Sequence, residues 1–508
     1  MSIYVTLSNI SFSYPSSSFS LFEDLSLSFH EGWTTILGSN GCGKSTLASL
    51  IEGSLTPEAG AIEKRGNAVL CSQIFSGIKD EYYALLYDYS SSSSALRRKL
   101  GLDEDMFLHA DELSGGEKKR LQAYLALSSS PDILIMDEPT NHLDKRNKEY
   151  LLNALLEFKG CGIIISHDRA FASALSSRTI IMTNYGDSTP TFFEDIPLPP
   201  IDALTLSKEK KTAEREERAN LSREIKRMAS SEKALRAKAE AASKGLSKST
   251  VGRKDNDAKA KIDLARLTGK DRSVADQRRT IVSRIGQKEK ELSSLSGPRM
   301  RKEGISSASF SPLLSSFLIE KSTLTAGSLK VEVPQIEVKR GDKLAVTGDN
   351  GSGKTLFIKY VCSEYMKKSS SFLYLKQEYD EGDRERLKDT LKGMDDREKG
   401  SLLSLMFRLG SNASAFLDGE KNLSSGEMRK LDFLLSINSD CPLLILDEPT
   451  NHLDITAVLA MEEILKETRA SIILVSHDRL LLSEVCNREL HFEREGDKTT
   501  VKEIRITE

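Results

Sequence analysis

The chain has 508 residues, 39% hydrophobic and 29% charged, with a formal net charge of −3. That length suffices for two or three domains that each bury a core, and no run of about 18 apolar residues is present to cross a membrane. The six cysteines, Cys42, Cys71, Cys161, Cys362, Cys441 and Cys486, form no C-x-x-C pair, which argues against an iron–sulfur or zinc site and fits a reducing cytosol.

Met1 to Ile10 reads as a strand and not as a signal peptide, having neither a basic start nor an apolar h-region. Short strands continue to Thr34-Thr35-Ile36-Leu37. Gly38-Ser39-Asn40-Gly41-Cys42-Gly43-Lys44-Ser45 follows, a full G-x-x-x-x-G-K-[ST] match, and opens a helix over Thr46 to Ile51. Gly38, Gly41 and Gly43 let the backbone curl so that its N–H groups, with that of Asn40, face a phosphate. Lys44 is placed to reach the β- and γ-phosphates, and the Ser45 hydroxyl to ligate Mg²⁺.

Gln73 ends the next apolar run. The serine run Ser90 to Ser94 reads as a solvated loop. Leu113-Ser114-Gly115-Gly116-Glu117 opens a helix over Lys118 to Leu127 and offers a second anion site at a helix start. Ile133-Leu134-Ile135-Met136 is continuously apolar, as a buried parallel strand should be. It delivers Asp137 and Glu138 to the strand end, where α/β sheets bind ligands. Asp137 is read as holding Mg²⁺ and Glu138 as the general base that activates water. A further buried strand, Ile163 to Ile165, delivers Ser166-His167-Asp168, and His167 is read as a γ-phosphate contact.

The motifs then return. Gly348, Asn350, Gly351, Gly353, Lys354 and Thr355 form a second phosphate loop. Gln377, Leu423-Ser424-Ser425-Gly426-Glu427, Asp447-Glu448 and His477 follow in the same order. The spacing is 310 for Gly38/Gly348, Asp137/Asp447 and His167/His477, and 304 for Gln73/Gln377. A repeat this regular is a duplicated domain.

The stretch between the copies, Asp202 to Ser296, has no aromatic residue and carries 25 Lys+Arg against 15 Asp+Glu. It is too polar to build a core of its own. Leu221, Ile225, Met228, Glu232, Leu235, Ala239 and Ala242 recur at spacings of four and three. So do Val274, Arg278, Ile281, Ile285, Lys288, Leu292 and Leu295. Two antiparallel helices on heptad seams are predicted, joined by a basic turn with Lys244, Lys248, Arg253, Lys254, Lys259 and Lys261. A phosphate backbone is the natural partner of such a tip; a solvated spacer is the plain alternative.

These residues resemble the ATP-binding cassette family in content and order, and the pairing with a charged helical linker resembles its ABC-F branch. The resemblance implies an α/β fold of two P-loop ATP-binding cassette domains, residues 1–198 and 301–508, joined by a long antiparallel α-helical hairpin, residues 199–300. It implies an Mg²⁺-dependent ATP hydrolase, with Glu138, Glu448, His167 and His477 catalytic. ATP is held by both phosphate loops, Thr46, the Gln73 and Gln377 loops, and the signature residues Ser114, Gly115, Gly116, Ser424 and Gly426. Tyr14 sits where the family stacks an aromatic on adenine, with Phe12 as the alternative or both as core residues, and Leu324 stands at the matching position of the second copy. Mg²⁺ falls to Ser45, Gln73 and Asp137 in one copy and Thr355, Gln377 and Asp447 in the other.

By the same resemblance, each ATP lies between the phosphate loop of one copy and the signature of the other within a monomer. The linker tip reaches large-subunit rRNA and the P-site tRNA of a ribosome in the cytoplasm. The long linker is more like that of members that protect ribosomes from antibiotics than that of housekeeping translation factors. A soluble ATPase energising a membrane transporter is the competing reading, but it leaves the basic hairpin without a task. The chain ends at Glu508, soon after His477, and a C-terminal coiled coil associated with DNA binding is not expected.

Overall fold

The computed structural model describes residues 2–15, 17, 19–73, 88, 90–103, 106–107, 109, 113–141, 143–184, 190–245, 270–294, 316–368, 372–376, 379–411, 424–437, 442–451 and 453–505. Met1–Ala203 and Arg301–Glu508 pack as one compact unit, and Leu204–Met300 is a second.

In the first cassette the chain runs β1 (Ile3–Phe12), β2 (Phe22–His30), β3 (Gly32–Gly38), α1 (Lys44–Glu52), β4 (Ala59–Lys64), β5 (Ala68–Cys71), α2 (Ser91–Leu100), α3 (Gly115–Ser128), β6 (Ile133–Asp137), α4 (Lys145–Leu155), β7 (Cys161–Ile165), α5 (Arg169–Leu175), β8 (Arg178–Thr183) and β9 (Phe192–Ile196). The main sheet has the order β5-β6-β7-β3-β8-β9, parallel except for β8 with β9. Its central strands are buried on both faces, which is why they read as unbroken apolar runs. Alternate side chains serve opposite faces. Ile133, Ile135, Ile163 and Ile165 pack with Leu47, Leu50 and Ile51 of α1. Leu134, Met136 and Ile164 pack with Leu121, Tyr124 and Leu125 of α3. Phosphate loop and signature helix therefore grip opposite sides of one sheet.

The serine run departs from the expected loop. Ser90 is the N-cap of α2, its hydroxyl accepting from the Ser93 amide, and the buried Ser93 hydroxyl bonds to the Tyr124 phenol. Serine is a weak helix former inside a helix but a strong cap. Here the cap and the core contact decide.

Past the linker helices α6 (Pro200–Gly245) and α7 (Lys270–Ser294), the second cassette runs β10 (Phe317–Ile319), β11 (Ser322–Ala326), β12 (Leu329–Val333), β13 (Ile336–Val338), β14 (Lys343–Gly348), α8 (Lys354–Lys368), β15 (Leu373–Leu375), α9 (Glu381–Gly393), α10 (Asp396–Arg408), α11 (Ser425–Ile437), β16 (Leu443–Asp447), α12 (Ile455–Glu467), β17 (Ser471–Val475), α13 (Arg479–Val485), β18 (Arg488–Glu495) and β19 (Lys498–Arg505). The order β18-β14-β17-β16-β15 repeats β8-β3-β7-β6-β5. The shorter spacing of Gln73 to Gln377 has a structural counterpart. Where the first cassette spends β4, the second, among the described residues, passes from the longer α8 directly to β15.

Within the linker unit, Leu221 is buried, and Ile225, Met228, Leu235, Ile281, Ile285 and Leu292 are half-buried. The polar seam residues are paired across the hairpin. Arg278 Nε donates to Glu232 Oε1 at 2.5 Å, and Lys288 Nζ lies 3.4 Å from Glu224. Higher residue numbers on one helix meet lower ones on the other, as an antiparallel seam requires. The tip residues Lys248, Arg253, Lys254, Lys259 and Lys261 lie outside the described residues. For Lys244, and for Ala239, Ala242 and Val274 on the seams, only the backbone is described; Leu295 lies outside.

Candidate active site

The phosphate loop follows β3, and its glycines have the backbone such a curl demands. Gly41 has φ 79° and Gly43 has φ 94°, both left-handed. A Cβ on Gly43 would sit 2.8 Å from the Phe22 ring, and one on Gly38 would sit 2.5 Å from the Met182 carbonyl. Lys44 is buried and folded back, donating to the carbonyls of Gly38 at 2.8 Å and Ser39 at 3.0 Å. The second loop repeats this, with Lys354 donating to Gly348 at 2.7 Å and Asp349 at 3.0 Å.

At the end of β6, Ser45 Oγ donates to Asp137 Oδ2 at 2.7 Å. One hydroxyl and one carboxylate side by side fit Mg²⁺, which keeps most of its shell for water and phosphate oxygens. The second copy differs. Thr355 is exposed, and Asp447 instead accepts from the Tyr374 phenol at 3.5 Å. Tyr374 sits where the first copy has Leu70, because Leu375 aligns with Leu446 as Cys71 does with Met136.

Glu138 and Glu448 both have φ +47°. A left-handed glutamate costs about 1–3 kcal/mol and persists only where neighbours over-determine it. Here the Glu138 amide is held by the Ile165 carbonyl at 2.8 Å, and the Glu448 amide by Val475 at 2.9 Å. Glu138 Oε2 accepts from the His167 amide at 3.3 Å, and His167 Nε2 lies 3.1 Å from Oε1. His477 Nε2 lies 3.6 Å from Glu448 Oε1 and 3.2 Å from Asn350 Oδ1. Burial raises Glu138 to about 8, against the pull of Lys44, and Glu448 to about 7, against Lys354. Burial, reinforced by Lys44 and Lys354 respectively, lowers His167 and His477 to about 3, so both rings are neutral. A carboxyl poised near neutral pH is matched to taking a proton from water.

The two cassettes share this site. A cavity of about 470 Å³ is lined by Asn40, Gly41, Gly43, Lys44, Ser45, Thr46, Gln73, Asp137, Glu138 and His167 of the first cassette and by Ser424, Ser425 and Gly426 of the second. Glu448 and His477 line it too. Ser424 presents the start of α11 by reciprocal capping, accepting from the Glu427 amide while Glu427 accepts from the Ser424 amide. Ser114 caps α3 in the same way. Asp454 accepts from the Asn40 amide of the opposite phosphate loop at 3.1 Å. In the second loop, burial pushes the Lys354 ammonium's pKa down, opposed by the carboxylates of Glu448, Asp447, Asp349 and, from the first cassette, Asp144. Gln377 and Leu423 lie outside the described residues.

A profile of the ABC transporter family matches residues 22–141 and 331–451. The chain is 26% identical to the ribosome protection protein VmlR of Bacillus subtilis (strain 168), over 98% of this chain and 88% of that protein. It is 27% identical to the erythromycin resistance ATP-binding protein MsrA of Staphylococcus epidermidis, over 89% and 90%. The solved RNase-L Inhibitor shares its fold, with a TM-score of 0.61 at 18% identity, over 97% of this chain and 89% of that one. Among the described residues no helix is long and apolar enough to cross a membrane. The chain carries two domains of the ABC transporter family.

The two domains differ from each other at one wall of the second site. In the first cassette Phe12 pairs with Phe22, the residue under Gly43, and Tyr14 follows two positions on. In the second, Leu324 pairs with Val331, the residue under Gly353. Leu324 is thus the counterpart of Phe12. By register the counterpart of Tyr14 is Ala326, not Leu324, and it lies in the β11–β12 hairpin opposite Leu329.

The sequence reading missed the residues that tie the cassettes together. Arg169, just after His167, is buried against Glu462 at 2.9 Å and Asp478 at 3.5 Å of the second cassette. The 310 spacing offered a clue, since the mirror of Glu462 is Leu152 and this pair exists once. Arg169→Met is expected to cost about 1.5–3 kcal/mol, the range for a charged hydrogen bond, read from denaturant unfolding. Lys466, 3.0 Å from Glu462, remains to offset the orphaned carboxylate.

Proposed function

We propose that this chain is a cytoplasmic, ribosome-associated ATPase whose linker, residues 199–300, enters the tRNA exit region and relieves drug-bound translation. The observation that carries the ATPase half is the shared cavity, in which the second signature faces the first phosphate loop. ATP bound there bridges the cassettes. Lys44 and the loop amides hold the phosphates, Glu138 takes the proton of the attacking water, and neutral His167 orients Glu138. Ser114 and Gly116 serve Lys354 and Glu448 in the mirrored site. Mg²⁺ would be held by Ser45, Asp137 and Gln73 in site one and by Thr355, Asp447 and Gln377 in site two, and would supply charge neutralisation on the phosphates. Hydrolysis removes the bridge and releases the halves.

The ribosomal half is supported by the net positive linker and by relatives named for ribosome protection and erythromycin resistance. Its test is a chain lacking residues 244–261. Basal ATP hydrolysis is expected to stay within about twofold, because the cassettes keep every residue of the cavity. ATP-dependent co-sedimentation with ribosomes, and any drug tolerance conferred on a sensitive host, are expected to disappear. Co-sedimentation unchanged by the deletion would refute the role given to the tip.

A further inference from the structure

In the first cassette the Tyr14 phenol is bonded to Thr46 Oγ1 at 2.8 Å. Thr46 belongs to the first turn of α1 and lines the cavity. The ring is braced from behind by Phe12, edge to face at 5.1 Å between centroids, and is 43% exposed. It is thus fixed and solvent-facing beside the phosphate loop, as a platform for a planar base must be. Both members of this pair are missing from the second cassette. Ala326 stands for Tyr14 by strand register, and Leu356, two residues after Lys354, stands for Thr46. The polypeptide there offers an exposed methyl group and an apolar chain. The phosphate-holding parts are retained, with Lys354 folded on its loop as Lys44 is.

We infer that the second site is a triphosphate site that makes little use of the base, whereas the first derives much of its affinity from stacking on Tyr14. The ligand class at site two is therefore any nucleoside triphosphate, or its base-free ribose triphosphate. This rests on the ATP-binding reading above. Stacking of a base on an aromatic side chain is worth about 5- to 150-fold in affinity. It is lost where no ring is present.

The test uses the full-length chain with one loop silenced at a time, by Lys354→Ala or Lys44→Ala. ATP and ribose 5′-triphosphate compete against a fluorescent ATP analogue. With site one alone, ATP is expected to bind at least about tenfold more tightly than the base-free probe. With site two alone, the two are expected to agree within about threefold. Adding Tyr14→Phe to the site-one chain should preserve the preference, and Tyr14→Ala should abolish it. Adding Ala326→Tyr to the site-two chain should create one. Equal preference for ATP at both sites, or a preference at site one that survives Tyr14→Ala, overturns the inference while leaving the ATPase intact. Failure of both silenced chains to bind either probe would instead remove the ATP-binding reading, and this inference with it.

Discussion

Replacing Glu138 and Glu448 together by Gln is expected to lower ATP turnover by about 10²–10⁴-fold, the usual worth of a general base, while ATP binding persists. Gln keeps the shape and the bond from the His167 amide but accepts no proton. The chain should then remain closed on ATP, and co-sedimentation with ribosomes should become stable in ATP alone. The single substitutions are not expected to be equal. Site one has the Ser45–Asp137 contact and the shorter His–Glu approach, 3.1 Å against 3.6 Å, so Glu138→Gln should cost more than Glu448→Gln. Steady-state phosphate release measures both. Turnover unaffected by the double substitution would remove these carboxylates from the chemistry.

The second large effect concerns Lys430 and Asp454. Their ion pair, at 3.1 Å, is almost fully buried, with side-chain exposures of 4% and 0%. Asp454 also accepts from the Ala457 amide, capping α12, and from Asn40 across the cassette boundary. Burial alone would raise its pKa, but Lys430 and the two amides hold it below the usual carboxylate range. Lys430→Met strands this charge and is expected to cost about 3–5 kcal/mol in unfolding free energy. Adding Asp454→Asn should recover much of the loss, and the double-mutant cycle gives the coupling. The pair's contribution is full above the unfolded pKa of about 4 and fades as pH falls through the lower folded value. Acidification from neutral pH should therefore narrow the gap between the parent chain and Lys430→Met. A gap that widened on acidification would exclude the ion pair as its source.

Lys430 also carries a functional expectation. It lies on the signature helix that reaches site one, and Asp454 joins that helix to the opposite phosphate loop. Its mirror, Arg120, instead donates to the carbonyls of Leu100 and Gly101. The two sites are built from one duplicated plan but are tied to the rest of the molecule by different side chains.

Much of this was legible in the chain itself. The phosphate loops are defined by glycine spacing, because left-handed backbone and close approach leave few alternatives at Gly43 and Gly353. The buried strands announced themselves as unbroken apolar runs because both faces are covered. The linker seams were visible as alternating spacings of three and four, including Glu232, Arg278 and Lys288, which find opposite charges. The order of motifs, repeated at an offset of 310 for all but the Gln73/Gln377 pair, pointed to two cassettes. These features are local or periodic, and one sequence window contains what enforces them.

What the tertiary structure alone decided depends on partners far apart in the chain. Ser90 to Ser94 caps and begins a helix because Ser93 meets Tyr124. The left-handed Glu138 and Glu448 are held by carbonyls of the neighbouring strand. Ala326 rather than Leu324 answers to Tyr14, because strand register and a tight hairpin set the alignment, not a constant offset. The Arg169–Glu462 and Asn40–Asp454 contacts join residues about 300 or more positions apart. Charge and hydrogen bonding act over a few ångströms of space and carry no periodicity along the chain. Sequence therefore determined two ATP-binding halves and a basic arm, and the folded packing decided how unequal those halves are.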